Sequence, residues 1–158
     1  MKNEIKSFNI RVYGIIINEN NEVLLTDEYQ SDRKMTKFPG GGLQFGEGPV
    51  DCIKREALEE MGQDIEVIDH FYTTSFFQQS FFHSDHQLIS IYYLVKFTDT
   101  IKFTISDKPF DFGEMKNGQQ SFRWKKISEL KHEDLSFPID RYVANMLKEK
   151  KDKPYFLI

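Results

Sequence analysis

The stretch from Gly40 to Gly62 constrains this chain more than any other. Three consecutive glycines follow Pro39, and a segment opening at Pro49 runs to Gly62. Serial glycines predict an irregular backbone. Proline suits the first position of a helix and glycine its stop. Between them Val50, Ile53, Ala57 and Met61 recur at spacings of three and four, which predicts a helix over 49–61 with an apolar stripe. Both flanks read as β-structure, so the helix must cover a sheet.

Residues 9–17 read as a strand, 18–21 as a polar hairpin turn, and Val23-Leu24-Leu25 as the start of a partner strand. Further β-type runs cover 65–77, 87–97 and 121–127. The Asp-, Lys- and Gly-rich stretch 98–120 reads as a long loop with a short strand at 101–105. A second helix is expected from Pro138 to about Lys150, with Tyr142, Val143, Met146 and Leu147 on one side. Strands, helix, strands and helix in that order indicate a mixed-sheet α/β or α+β fold. No repeat or linker interrupts the 158 residues, which predicts a single domain.

Hydrophobic residues make up 39% and aromatic residues 15%, enough to build a core. The net charge of −4 argues against backbone-dominated nucleic-acid binding, which needs a basic surface. A lone cysteine, Cys52, excludes an internal disulfide framework and a cysteine-based zinc site. No apolar run has transmembrane length, and the first residues lack the apolar core of a secretory signal. A soluble cytoplasmic protein without membrane association is expected.

The helix over 49–61 carries its chemistry away from the apolar stripe. With Glu56 at zero on a helical wheel, Glu59 falls near about −60° and Glu60 near about +40°. Neighbouring Cβ atoms on such an arc are roughly 5–6 Å apart. Such carboxylates form a solvated acidic face, or in a cleft they collect a hard divalent cation such as Mg²⁺ or Mn²⁺. The approach Gly41-Gly42-Leu43-Gln44-Phe45-Gly46-Glu47-Gly48 looks at first like a phosphate-binding loop. Glu47, however, stands where such a loop requires lysine. Phosphate would then be held through metal, which points to a metal–diphosphate architecture.

Gly41, Glu47, Arg55, Glu56, Glu59, Glu60 and Gly62 match all seven fixed identities of the Nudix box, which here spans 41–63. At roughly 6% usage per residue, chance would produce such a match in fewer than about one in a million chains. Phe38-Pro39 ahead of the box, and Trp124 with Glu129-Leu130 near the end, extend the resemblance over most of the chain. The chain departs from the pattern at Ala57, a small apolar residue, and at Gln63, where the family has an aliphatic one.

The resemblance implies an α/β/α sandwich around a central mixed sheet. It also implies hydrolysis of a nucleoside diphosphate linked to another moiety, by water attack on phosphorus. By position, Glu56, Glu59 and Glu60, with the carbonyl of Gly41 or Gly40, would ligate Mg²⁺ or Mn²⁺. Arg55 would orient the carboxylates, most directly Glu59, and Glu47 would support the loop–helix junction. Glu56 is the first candidate for general base. Glu114 is the alternative on a later loop, ahead of Asp107 and Asp111. Gly41, Gly42 and Arg11 are the candidate substrate-binding residues.

Other features read more plainly. Carboxylates around Cys52, together with burial, raise a thiol pKa and argue against a nucleophile. His83 and His86, flanking Asp85, suit a turn rather than a metal. Phe76, Phe77, Phe81 and Phe82 read as core or interface, with base stacking the alternative, and Trp124 reads as core. Two competing functions fit the same resemblance. A catalytically silent nucleotide sensor would need an effector domain, and an isoprenoid diphosphate isomerase would need a cysteine outside the box. The aromatic content and the apolar tail 154–158 are compatible with a homodimer.

Overall fold

In the computed structural model of the chain, residues 4–150 are described. Among the described residues two α-helices and seven strands form two compact units, each assembled from separate parts of the sequence. One combines the described residues up to Gly14 with Gly40–Asp99. The other combines Ile15–Pro39 with the described residues from Thr100 onward. The apolar tail at 154–158 lies outside the described residues.

The first unit is a four-stranded sheet with one helix. Strands β1 (Ser7–Ile15), β4 (Gly40–Gly42), β5 (Ile65–Thr73) and β6 (His86–Phe97) run in the order β4-β1-β6-β5. The triglycine is therefore a short edge strand rather than an irregular turn. It pairs antiparallel with β1, placing Arg11 opposite Gly42, Val12 opposite Gly41 and Tyr13 opposite Gly40. Gly40, at φ +143, supplies the one conformation there that other residues rarely adopt.

Helix α1 (Pro49–Met61) has the expected bounds. Asp51 Oδ2 accepts from the Gly48 N–H at 3.1 Å, and Gly62 closes the helix in the left-handed region at φ 65. Its buried face is Cys52, Ile53, Ala57 and Met61. Val50, expected on that stripe, is exposed and Cys52 replaces it. At Gly14 an added Cβ would stand 3.0 Å from Val95 and 3.4 Å from Ile53, so the missing side chain lets α1 pack closely. Gln63 is buried despite its polarity.

The second unit holds β2 (Glu22–Gln30), β3 (Arg33–Lys37) and β7 (Gln119–Lys126) in the order β3-β2-β7. The turn at 18–21 forms around Asn18, whose side-chain oxygen accepts from the Asn20 and Glu22 N–H groups. Its ladder extends only to the Ile17–Val23 bridge, after which β2 pairs with β3 and β7. Sequence reasoning passed over β3. Its two-residue turn, Ser31-Asp32, takes positive φ at both positions without a glycine. The 101–105 strand reduces to a single bridge between Ile105 and Phe122.

Helix α2 (Pro138–Glu149) buries Ile139, Asp140, Val143, Ala144 and Leu147, while Tyr142 faces out. Asp27, wholly buried, accepts from Arg123 Nε at 2.7 Å, Thr36 Oγ1 at 2.6 Å and the Phe110 N–H at 3.2 Å. Trp124, expected in the core, is half-buried. Among the described residues no helix is long and apolar enough to cross a membrane.

Candidate active site

Arg55 organises the polar face of α1. Its Nε and Nη2 grip both oxygens of Glu47, at 2.9 and 2.7 Å. Its Nη1 reaches Glu56 Oε1 at 2.9 Å and Glu59 Oε2 at 3.0 Å. Nη2 also donates to the Gly42 carbonyl at 3.0 Å. One planar guanidinium thus joins the loop, the glycine edge and two carboxylates, which the compact ammonium of lysine cannot do. Its most direct partner is Glu47 rather than Glu59. The fork needs an acid to its side, and the backward bend of the loop puts Glu47 there; a helix wheel carries no trace of that bend. The Gln44 N–H, 2.8 Å from Glu47 Oε1, stabilises the bend.

These contacts perturb ionisation. The Arg55 hydrogen bonds hold the Glu47 carboxyl down at about 2, and the same contact raises the Arg55 guanidinium further above its ordinary range. Burial, followed by the charge of Glu47, pushes the Cys52 thiol up to about 12. Cys52 is fully buried with Sγ 3.5 Å from the Gly42 carbonyl, so it is a packing residue, as the sequence suggested.

Two of the expected ligands, Glu56 and Glu60, stand against the glycine edge. A Cβ at Gly41 would overlap the Glu56 carboxyl group, so Gly41 forms a cradle for it. Glu60 Oε2 accepts from the Gly40 N–H at 3.3 Å. Among the described residues no group of three His, Cys, Asp or Glu side chains stands at metal-ligand spacing. Glu56 and Glu59 face Arg55, while Glu60 Oε2 faces the Gly40 N–H. Arg55 takes one oxygen of Glu56 and one of Glu59, and neither carboxylate has a second hydrogen-bond partner among the described residues. Hard oxygen donors on one helical face, with the glycine backbone alongside, fit a divalent cation in chemistry.

Arg11, the expected substrate-binding residue of β1, stands beside Gly42, with Nη1 4.0 Å from the Gly42 Cβ position. Sequence reasoning overlooked Tyr13, whose hydroxyl accepts from Arg11 Nε at 2.7 Å. The two-residue alternation of a strand was the available signal. Glu114 is exposed on the loop before β7 in the second unit, as are Asp107 and Asp111. His83 and His86 lie in the turn before and at the start of β6, with His86 Nδ1 2.7 Å from Asp85 Oδ1. Phe76, Phe77, Phe81 and Phe82 are exposed by 40–61%, which excludes a core role for them.

A family model described as the NUDIX domain matches residues 8–146. An 8-oxo-dGTP diphosphatase of Escherichia coli is 43% identical over 51 residues; the match covers 31% of this chain and 40% of that relative. A NUDIX hydrolase from Nitrosomonas europaea superposes with a TM-score of 0.64 at 18% identity, covering 87% of this chain and 86% of its own. An ADP-ribose pyrophosphatase from Streptococcus suis gives 0.58 at 14%, covering 92% and 94%. At these identities the structural likenesses establish the mixed α+β fold.

Proposed function

The chain belongs to the NUDIX domain family, and from that premise we propose that it is a metal-dependent pyrophosphohydrolase. It cleaves the phosphoanhydride of a nucleoside diphosphate-linked substrate, such as a nucleotide or nucleotide sugar, by attack of water on phosphorus. The observation that carries this reading is the Arg55 clamp. One guanidinium holds Glu47, Glu56, Glu59 and the Gly42 carbonyl together against the glycine edge.

Hydrolases of the family generally use divalent metal ions. Here Glu56, Glu59 and Glu60, with the carbonyl of Gly41, would hold Mg²⁺ or Mn²⁺. So held, the cation would neutralise diphosphate charge and lower the pKa of the attacking water. Arg55 fixes the carboxylates of Glu56 and Glu59 before substrate arrives, so little reorganisation is left for the reaction. Glu56, cradled by Gly41, takes the proton of the attacking water as general base, with Glu114 the alternative. Gly41 and Gly42, lacking side chains, let phosphate approach the backbone, and Arg11 meets its charge. We read the chain as one such domain in a reducing cytoplasm, which the lone buried thiol suits.

The test is a panel of nucleoside triphosphates, ADP-ribose, nucleotide sugars and dinucleoside polyphosphates, with Mg²⁺, Mn²⁺ or EDTA and both products identified. Turnover with either metal and none in EDTA is the expected result. Full turnover in EDTA refutes the metal mechanism. Binding without turnover of any member refutes the hydrolase in favour of a silent sensor. Glu59→Gln and Glu60→Gln should each weaken metal affinity and turnover together, whereas Glu114→Gln should lower only kcat, by about 10²–10⁴, if Glu114 is the base.

A further inference from the structure

Strand β1 presents different chemistry on its two faces. The Cβ position of Gly14 points at Ile53 of α1, and Gly41, opposite Val12, points at Glu56. Arg11 and Tyr13 alternate to the other face, beside Gly42 and Gly40. Beside β1 runs an edge strand made only of glycine, with the Glu56 carboxyl group against Gly41 on one face and the Arg11 guanidinium beside Gly42 on the other.

Arg11 does not reach that edge as a loose side chain. Its Nε donates to the Tyr13 hydroxyl at 2.7 Å, and its Cζ lies 5.6 Å from the centre of the Tyr13 ring. Tyr13 is only 5% exposed, and its ring stacks on the fully buried Tyr92 at 5.2 Å. Tyr92 in turn meets Tyr72 at 6.3 Å. The Tyr13 ring is thus held in a row of tyrosines that crosses three adjacent strands. Because its hydroxyl engages Nε, it sets the direction of the terminal Nη1 and Nη2 pair, the part of arginine that matches phosphate oxygens.

We propose that Tyr13 is a positioning residue that holds the Arg11 guanidinium against Gly42, where Arg11 takes a phosphate oxygen of the substrate's diphosphate. The inference rests on the pyrophosphohydrolase reading for the identity of the ligand and on β1 alone for the geometry. Arg11 touches substrate; Tyr13 acts through it. Glutamates on one face and arginine on the other would then grip the diphosphate across a strand with no side chains to obstruct it.

Wild type, Tyr13→Phe, Arg11→Ala and the double variant decide the matter. Tyr13→Phe keeps the stack on Tyr92 and removes only the acceptor. Two measurements apply to all four proteins: steady-state kinetics on a panel substrate, and equilibrium binding of the non-hydrolysable α,β-methylene-ADP with Mg²⁺. Removing a hydrogen bond to a charged group should raise KM about tenfold in Tyr13→Phe, weaken analogue binding equally and leave kcat within about twofold. The double variant should be no weaker than Arg11→Ala alone, because Tyr13 has nothing left to position. Unchanged KM and affinity in Tyr13→Phe overturns the assignment, as do additive losses in the double variant. So does a fall in kcat and Tm at constant KM, which marks a purely structural role. Wild type that binds the analogue but hydrolyses nothing refutes the hydrolase reading, and the affinities still decide on Tyr13. Wild type that binds no analogue overturns both.

Discussion

Gly41→Ala is the smallest change that reaches the carboxylates without altering one. The new Cβ would lie within 3.0 Å of three Glu56 carboxyl atoms, the most distant being Oε2 at 2.6 Å. Restoring the 3.4 Å of ordinary contact moves even that atom by about 0.8 Å. The backbone need not yield, since Gly41 lies in an extended strand without the positive φ of Gly40. The far end of Glu56 must retreat instead, and its 2.9 Å contact with Arg55 breaks. A displacement near 1 Å at a catalytic group costs on the order of 10² in rate. The expected result is therefore a kcat lower by about 10² in a protein whose Tm shifts by only a few degrees. Initial rates and thermal melts of Gly41→Ala, Glu56→Gln and the double variant supply the check. If the added methyl group acts through Glu56, the double variant is no slower than Glu56→Gln. A folded Gly41→Ala variant at wild-type rate, or losses that multiply in the double variant, would refute the reasoning.

Cys52→Ala should keep kcat within a few-fold of wild type, and native Cys52, pushed up to about 12, should resist iodoacetamide at pH 8.5; rapid alkylation of folded protein would contradict this. Glu47, held near 2 against an ordinary 4.5, contributes stability that is complete above about pH 4.5 and lost as pH falls through about 2. The Tm of wild type should accordingly drop more steeply between pH 5 and pH 2.5 than that of Glu47→Gln, and parallel curves would count against the clamp. Gly14→Ala should destabilise by about 1–3 kcal/mol through overpacking against Val95 and Ile53, read from denaturant midpoints at unchanged slope.

Local rules read well wherever both ends of an element were marked. Pro49 and Gly62 bound α1, Pro138 opens α2, and Asn18 closes its turn by its own side chain. Strand β3 lacked such a mark because Ser31-Asp32 reaches a glycine-like conformation without glycine. The glycine edge was misread because three glycines specify no conformation by themselves, and the partner that straightens them, β1, is some thirty residues away. For the site, helical periodicity gathered Glu56, Glu59 and Glu60 on one arc. It could not show that Arg55 would prefer Glu47, since that choice depends on the path of a loop. Tyr13 looked like any strand aromatic until its hydroxyl met Arg11.

The buried carboxylate of Asp27 has a consequence for how this chain can drift. It holds the Phe110 amide, with Phe110 itself at φ 55, in the middle of the long connection from β6 to β7. Together with the Ile105–Phe122 bridge, that attachment divides the connection into shorter spans. Each can lengthen at little entropic cost, since doubling a span costs only about 0.6 kcal/mol. The anchor itself cannot slide, because Arg123 and Thr36 fix the acid from below. Insertions and deletions should therefore avoid Phe110 and the Ile105–Phe122 bridge and accumulate in the spans between and beyond them. Amide exchange with solvent should be slow at Phe110 and at Ser106, whose N–H donates to the Phe122 carbonyl at 2.7 Å, and faster in the spans around them.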